Sequence, residues 1–243
     1  MKKITQKKVF QTIFRMVLGS LFIVSLNACS QEESENLGNA PIYQHYVFMV
    51  NPQGEAIAYA NFSTSPKNSF QFVKLNKEQG ILSNGIPMNY NRLDEIHNAE
   101  YAYSLQLEPH TEKVSFKFRR NKTVILENIL DKNDIAPIAL PDDLTTLEIG
   151  KPVMWKGLPV QPEDEIEIFV ELADSPGYYY QITGSVTSGG KGFVFDEKPL
   201  VMGKHKYKLT LRRTRKQPTK QNDNPATGDM TLCYFDTKMI EIE

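Results

Sequence analysis

Glu165-Ile166-Glu167-Ile168-Phe169-Val170-Glu171-Leu172 decides the fold class. On an extended chain Ile166, Ile168, Val170 and Leu172 fall on one side, and Glu165, Glu167 and Glu171 on the other. That period of two marks a strand with one buried and one wet face, the habit of antiparallel sheets. Residues 204–213 alternate in the same way, with Tyr207, Leu209 and Leu211 opposite Lys206, Lys208, Thr210 and Arg212. Further strand-like stretches follow the same vocabulary at 145–149, 152–155, 178–183, 192–195 and 230–242. Upstream, Tyr43–Val50, 55–62 and 69–75 are short, aromatic and β-branched, and Asn51-Pro52-Gln53-Gly54 reads as a turn. Val114, Phe116 and Phe118 alternate with Ser115, Lys117 and Arg119, and 123–130 closes the group. Only 89–98 has the makings of a short helix. The expected fold class is all-β and antiparallel.

Residues 131–143 contain two prolines and four aspartates and no strand pattern, which places a domain boundary there. Some features recur in order on both sides of it. Gly85-Ile86-Pro87-Met88 is echoed by Gly150-Lys151-Pro152-Val153-Met154, Tyr101-Ala102-Tyr103 by Tyr178-Tyr179-Tyr180, and Phe118-Arg119-Arg120 by Leu211-Arg212-Arg213. Two tandem β-sandwiches, 41–135 and 136–243, would produce this pattern; duplication and a shared strand vocabulary both remain open as its origin. Short strands separated by turn signals resemble immunoglobulin-like or fibronectin-type sandwiches in architecture, without the cysteine–tryptophan–cysteine signature of antibody domains.

The N-terminus has a different character. Lys2, Lys3, Lys7, Lys8 and Arg15 are unopposed by any acid, and residues 16–26 form an apolar run broken only by Gly19, Ser20 and Ser25. Its eleven residues suit the core of a secretory signal and fall short of the roughly 20 needed to span a bilayer. It ends on Leu26-Asn27-Ala28-Cys29. This tetrapeptide resembles the lipobox of bacterial lipoproteins. The resemblance implies a signal peptide over 1–28, cleavage before Cys29, and lipid on its sulfur and new amino terminus. With Ser30 rather than Asp next, it further implies an outer-membrane location, on the periplasmic face or the cell surface. Residues 29–40 are polar and are expected to form a flexible tether.

Of 28 basic and 29 acidic residues, five basic and no acidic ones lie in 1–28, which leaves 23 against 29 in the mature chain, a formal charge of −6. An acidic balance speaks against a nucleic-acid partner, which requires a basic face. With Cys29 assigned to lipid, Cys233 stands alone, in the apolar Leu232-Cys233-Tyr234-Phe235, and is expected to be a buried small hydrophobe.

Tests for chemistry find little. His45, His97, His110 and His205 are scattered without a second ligand at metal spacing. Ser188-Gly189-Gly190-Lys191-Gly192 lacks the upstream glycine and the Ser or Thr of a phosphate-binding loop. Asp142, Asp143, Glu163, Asp164 and Glu165 form an acidic rim expected to be solvated. Asn222-Asp223-Asn224 lacks the bidentate Glu of a calcium loop. No catalytic residue, metal or cofactor is therefore expected.

Two surface candidates remain for partner binding. Tyr178, Tyr179 and Tyr180 follow Ser175-Pro176-Gly177, and alternation sends at least one tyrosine outward. Arg212, Arg213, Arg215 and Lys216 belong to the densest basic cluster of the mature chain. The expected function is that of a lipid-anchored envelope protein acting as a non-catalytic binding module with a protein partner. The alternative is a periplasmic immunity lipoprotein that neutralises a secreted toxin.

Overall fold

Alternation of apolar and polar residues builds almost every element. The computed structural model describes residues 32–38, 40–65, 73–76, 79–91, 102–173, 179–182, 190–195 and 205–242. Residues 1–28, Cys29, Tyr178, Ser188, Gly189 and most of the 89–98 stretch lie outside these. In chain order the strands are β1 (Glu32–Glu33), β2 (Tyr43–Val50), β3 (Ala56–Ser63), β4 (Val73–Lys74), β5 (Gly80–Ser83), β6 (Ile86–Pro87), β7 (Asn89–Tyr90), β8 (Tyr103–Gln106), β9 (Lys113–Arg119) and β10 (Ile125–Asp131). They continue with β11 (Ile138–Ala139), β12 (Thr146–Leu147), β13 (Pro152–Met154), β14 (Lys156–Gly157), β15 (Asp164–Leu172), β16 (Tyr179–Ile182), β17 (Gly192–Val194), β18 (Tyr207–Pro218) and β19 (Gly228–Ile242). The helical elements among the described residues are two 3-10 turns, Ser34–Leu37 and Lys132–Asp134. The protein is all-β.

The main sheet runs β16-β15-β18-β19-β2-β3-β8-β7, with β12 added in parallel at the far end of β19. Its centre is a parallel pair in which Gly228–Tyr234 of β19 lie beside Gln44–Val50 of β2. This departs from the all-antiparallel expectation, and it takes hydrogen bonding across the sequence boundary at 131–143. Strands from 41–135 and strands from 136–243 thus belong to one sheet, and their inward side chains belong to one apolar cluster.

A second sheet, β10-β9-β5-β6, covers the β2–β3 end. Inward residues of β3 are Ala56, Ala58, Ala60 and Phe62, so small side chains leave room for the rings arriving from β9. Phe116 stacks on Tyr46 with ring centres 4.7 Å apart, and Phe118 lies 4.7 Å from Phe62. Each such fully buried ring contributes about 1.5–3 kcal/mol. The β5–β6 hairpin turns on Asn84-Gly85, both with positive φ (48° and 83°), the two-residue turn that matches strand twist.

Part of the 29–40 stretch lies against the fold. Glu32-Glu33 pairs with β4, Ser34 is buried and accepts a hydrogen bond from Asn76 N, and Leu37 packs on the core. A polar composition concealed this, because Ser34 docks through a hydroxyl and Leu37 is one apolar side chain among polar neighbours.

Candidate functional site

The basic cluster of β18 is built by register. β18 runs antiparallel to β15, so Asp164 faces Arg215, Glu165 faces Thr214, Ile166 faces Arg213, Glu167 faces Arg212 and Glu171 faces Lys208. Side chains in register share a face of the sheet. The glutamates that define the wet side of β15 therefore meet the cations of β18: Lys208 lies 3.7 Å from Glu171, and Lys216 lies 3.1 Å from Glu165. Arg212 places its guanidinium 4.6 Å from the centre of the Phe169 ring, a cation–π contact.

Arg213 and Arg215 turn the other way, into the molecule. The side chains of Arg213 and Asp164 are both 0% exposed. Arg213 donates from Nε to Asp164 Oδ2 (2.7 Å), with Nη2 2.6 Å from the same oxygen; Nη1 donates to the carbonyl of Leu158 (2.9 Å) and Nη2 to that of Pro159 (2.5 Å). Arg215, partly exposed, donates to Asp164 Oδ1 from Nε (2.8 Å) and Nη2 (2.7 Å), and also to the carbonyl of Asp134. One carboxylate thus receives both arginines. Burial works to raise the pKa of the Asp164 carboxyl, but the hydrogen bonds from Arg215 and Arg213 outweigh it and hold the group below the usual carboxylate range.

The cluster consequently acts as an internal clamp. It ties the 158–161 loop and the 3-10 turn at Asp134 to the main sheet. Two expectations are corrected here: Arg213 is no surface contact, and Asp164 is no solvated rim residue. The physical reason is parity. Arg213 and Arg215 share the parity of Tyr207, Leu209 and Leu211, and Asp164 that of Ile168 and Val170, so all three point to the buried face. Two buried charges of opposite sign are tolerated there because they satisfy each other. Arg212 and Lys216 do reach the outer face, each set against a neighbour of β15.

A second clamp was missed in the sequence. Arg120, 8% exposed, lies 3.0 Å from Asp223 Oδ2 and donates through Nη2 to the carbonyls of Ala40 (2.6 Å) and Gly38 (3.3 Å). Asp223 Oδ2 also accepts from Ile42 N at 2.8 Å. Beside it, buried Asn128 accepts from Lys220 N (2.7 Å) and Gln221 N (3.0 Å) and donates to the Gln221 carbonyl (3.0 Å). The loop after β18 is thereby fastened to β10. Only long-range pairing assembles these groups, so no local pattern announces them.

Of the tyrosines, Tyr179 and Tyr180 belong to β16, which pairs with β15 opposite Glu171 and Val170 and ends the strand order of the main sheet. Cys233 is buried, with Val47 and Met49. A groove of about 380 Å³ lies between the 141–146 turn and β13, lined by Leu144, Thr146, Glu148, Lys151, Val153 and Met154. Asp143 lines it too, and of its charged residues Glu148 and Lys151 pair with each other. Among the described residues no group of three or more His, Cys, Asp or Glu side chains is placed to hold a metal ion. Nor is any helix among them long and apolar enough to cross a membrane. No protein-family model matches the chain, and no curated protein is significantly similar to it.

Proposed function

We propose that the protein is a lipid-anchored component of the bacterial outer membrane that works by binding a protein partner and carries no catalytic machinery. The observation that carries this reading is the N-terminal order of a cationic start, an eleven-residue apolar run and Leu26-Asn27-Ala28-Cys29. Lipid there retains the protein, because each buried methylene contributes about 0.8 kcal/mol and two or three chains hold firmly.

The partner surface in this reading is the β16 edge. It is supported by the position of β16 at the end of the main sheet and by Tyr178, Tyr179 and Tyr180, a residue type suited to anchoring interfaces. Arg213 and Arg215 drop out of that surface because Asp164 already satisfies them. Architecturally, the reading favours one cooperative unit over two tandem immunoglobulin-like sandwiches at 41–135 and 136–243. Its support is the parallel β2–β19 pairing.

Metabolic labelling with a fatty acid tests the anchor. The wild-type chain takes up label and Cys29→Ser does not; label retained by Cys29→Ser sinks the reading. Affinity capture from envelope extracts, compared with a Tyr179→Ala/Tyr180→Ala variant, tests the partner surface. Undiminished capture removes the tyrosines from it.

A further inference from the structure

Glu32, the first of the described residues, comes three residues after Cys29. An extended chain gains at most about 3.6 Å per residue, so Cys29 stands within roughly 11 Å of Glu32. The segment that follows is fastened to the fold in two places. Ser34 accepts from Asn76 N, Asn76 Oδ1 accepts from Gln79 N, and the adjacent Gly80 pairs with Arg119. Gly38 and Ala40 give their carbonyls to Arg120. These bonds hold residues 34–40 beside Arg119 and Arg120, at the base of the β9–β10 hairpin tip (residues 119–125), with Asp223 of the loop after β18 on the same guanidinium.

That tip is closed by a hydrogen bond from Arg120 N to the Val124 carbonyl (3.0 Å) and by Asn121, whose Oδ1 accepts from the backbone N–H of Thr123 and Val124. Apart from buried Arg120, its side chains are exposed. Val124 and Ile125 are 37% and 55% exposed, beside the cations of Arg119 and Lys122, and 119–126 contains no acid. In water such an aliphatic pair gains nothing from its exposure. In a headgroup layer the aliphatic side chains enter the acyl boundary while long cationic side chains reach lipid phosphates. Glu32, Glu33 and Glu35 lie close to the anchor in sequence and oppose the pull of an anionic surface. The contact accordingly depends on the aliphatic pair and on local phosphate bonds, not on net charge.

We infer that the 119–125 hairpin tip is a contact surface for phospholipid headgroups, which together with the Cys29 lipid seats the protein on the membrane in one orientation. The inference rests on the lipid-anchor reading. It places the opposite end of β9, seven residues or about 23 Å away, toward the aqueous side.

The test uses the lipidated protein reconstituted into vesicles of phosphatidylethanolamine and phosphatidylglycerol carrying a headgroup-attached quencher. A fluorophore is coupled in separate variants to Thr123→Cys, at the tip, and to Glu112→Cys, at the far end; the native Cys233 is buried. Quenching at residue 123 is expected to exceed that at residue 112 by roughly threefold or more, given a headgroup contact only some 5–10 Å deep. Adding Arg119→Ser, Lys122→Ser, Val124→Ser and Ile125→Ser should bring the two positions together. Equal quenching at 123 and 112 in a protein shown to carry fatty acid overturns the contact surface and leaves the anchor standing. Absence of fatty acid on Cys29 overturns the anchor, and this inference with it.

Discussion

Asp164→Ala removes the carboxylate that receives both arginines of the internal clamp. Arg213 is then left with no countercharge in a site where its side chain is fully enclosed. It keeps the carbonyls of Leu158 and Pro159, which satisfy hydrogen bonds but not charge. Arg215 is 28% exposed and can recover water, so most of the penalty falls on Arg213. Breaking a buried pair in this way costs about 3–5 kcal/mol. At about 2–4 °C per kcal/mol for a chain of this size, the melting temperature should drop by roughly 6–20 °C. Urea unfolding followed by circular dichroism measures the same loss. Replacing both partners, Asp164→Leu with Arg213→Met, should recover much of it, since no charge is then stranded. Acid provides a second arm. The folded pKa of Asp164 lies below its unfolded value of about 3.9, so its contribution is fully present above that value and disappears as pH falls through the folded pKa. The acid limb should therefore flatten in Asp164→Leu/Arg213→Met. An Asp164→Ala protein within 1 kcal/mol of wild type would refute the clamp.

Asn128→Ala strips three hydrogen bonds from the 220–221 backbone and should cost about 1–3 kcal/mol, with new protease cleavage at 219–222 as the readout. Lys216→Ala breaks an ion pair whose partners are both more than half exposed, so urea midpoints should place it within about 0.5 kcal/mol of wild type. A chain clipped within 136–143 should elute in native size exclusion as one particle, because β2 and β19 remain paired. Separation into two folded fragments would restore the tandem arrangement.

The strands were legible because their signal is local. The alternation at 165–172 gave the two faces of β15, and 204–213 gave those of β18. Parity in these same stretches already assigned Arg213 and Asp164 to the buried side, but residue type pulled the reading the other way. A charged side chain is seldom fully enclosed unless paired, and its partner sits 49 residues away. Arg120 with Asp223, and Asn128 with the 220–221 backbone, were hidden for the same reason, being joined only by tertiary structure. Asn84-Gly85 was in plain view as a hairpin turn and went unread. Leu26-Asn27-Ala28-Cys29 lies outside the described residues, so the anchor proposed for it rests on the sequence alone.

The pairing of Asp229 with His45 joins residues 184 positions apart, in the middle of the main sheet. A chain synthesised N-terminus first must hold one edge of β2 unpaired until residues 228–234 have emerged. Topologies so dominated by distant pairings close slowly, on the order of milliseconds to seconds. On the lipid-anchor reading proposed above that delay is useful, since an export channel accepts only an unfolded thread. It also carries a hazard: a message truncated before codon 228 would yield a product whose longest sheet never closes, with the flank of β2 open to aggregation.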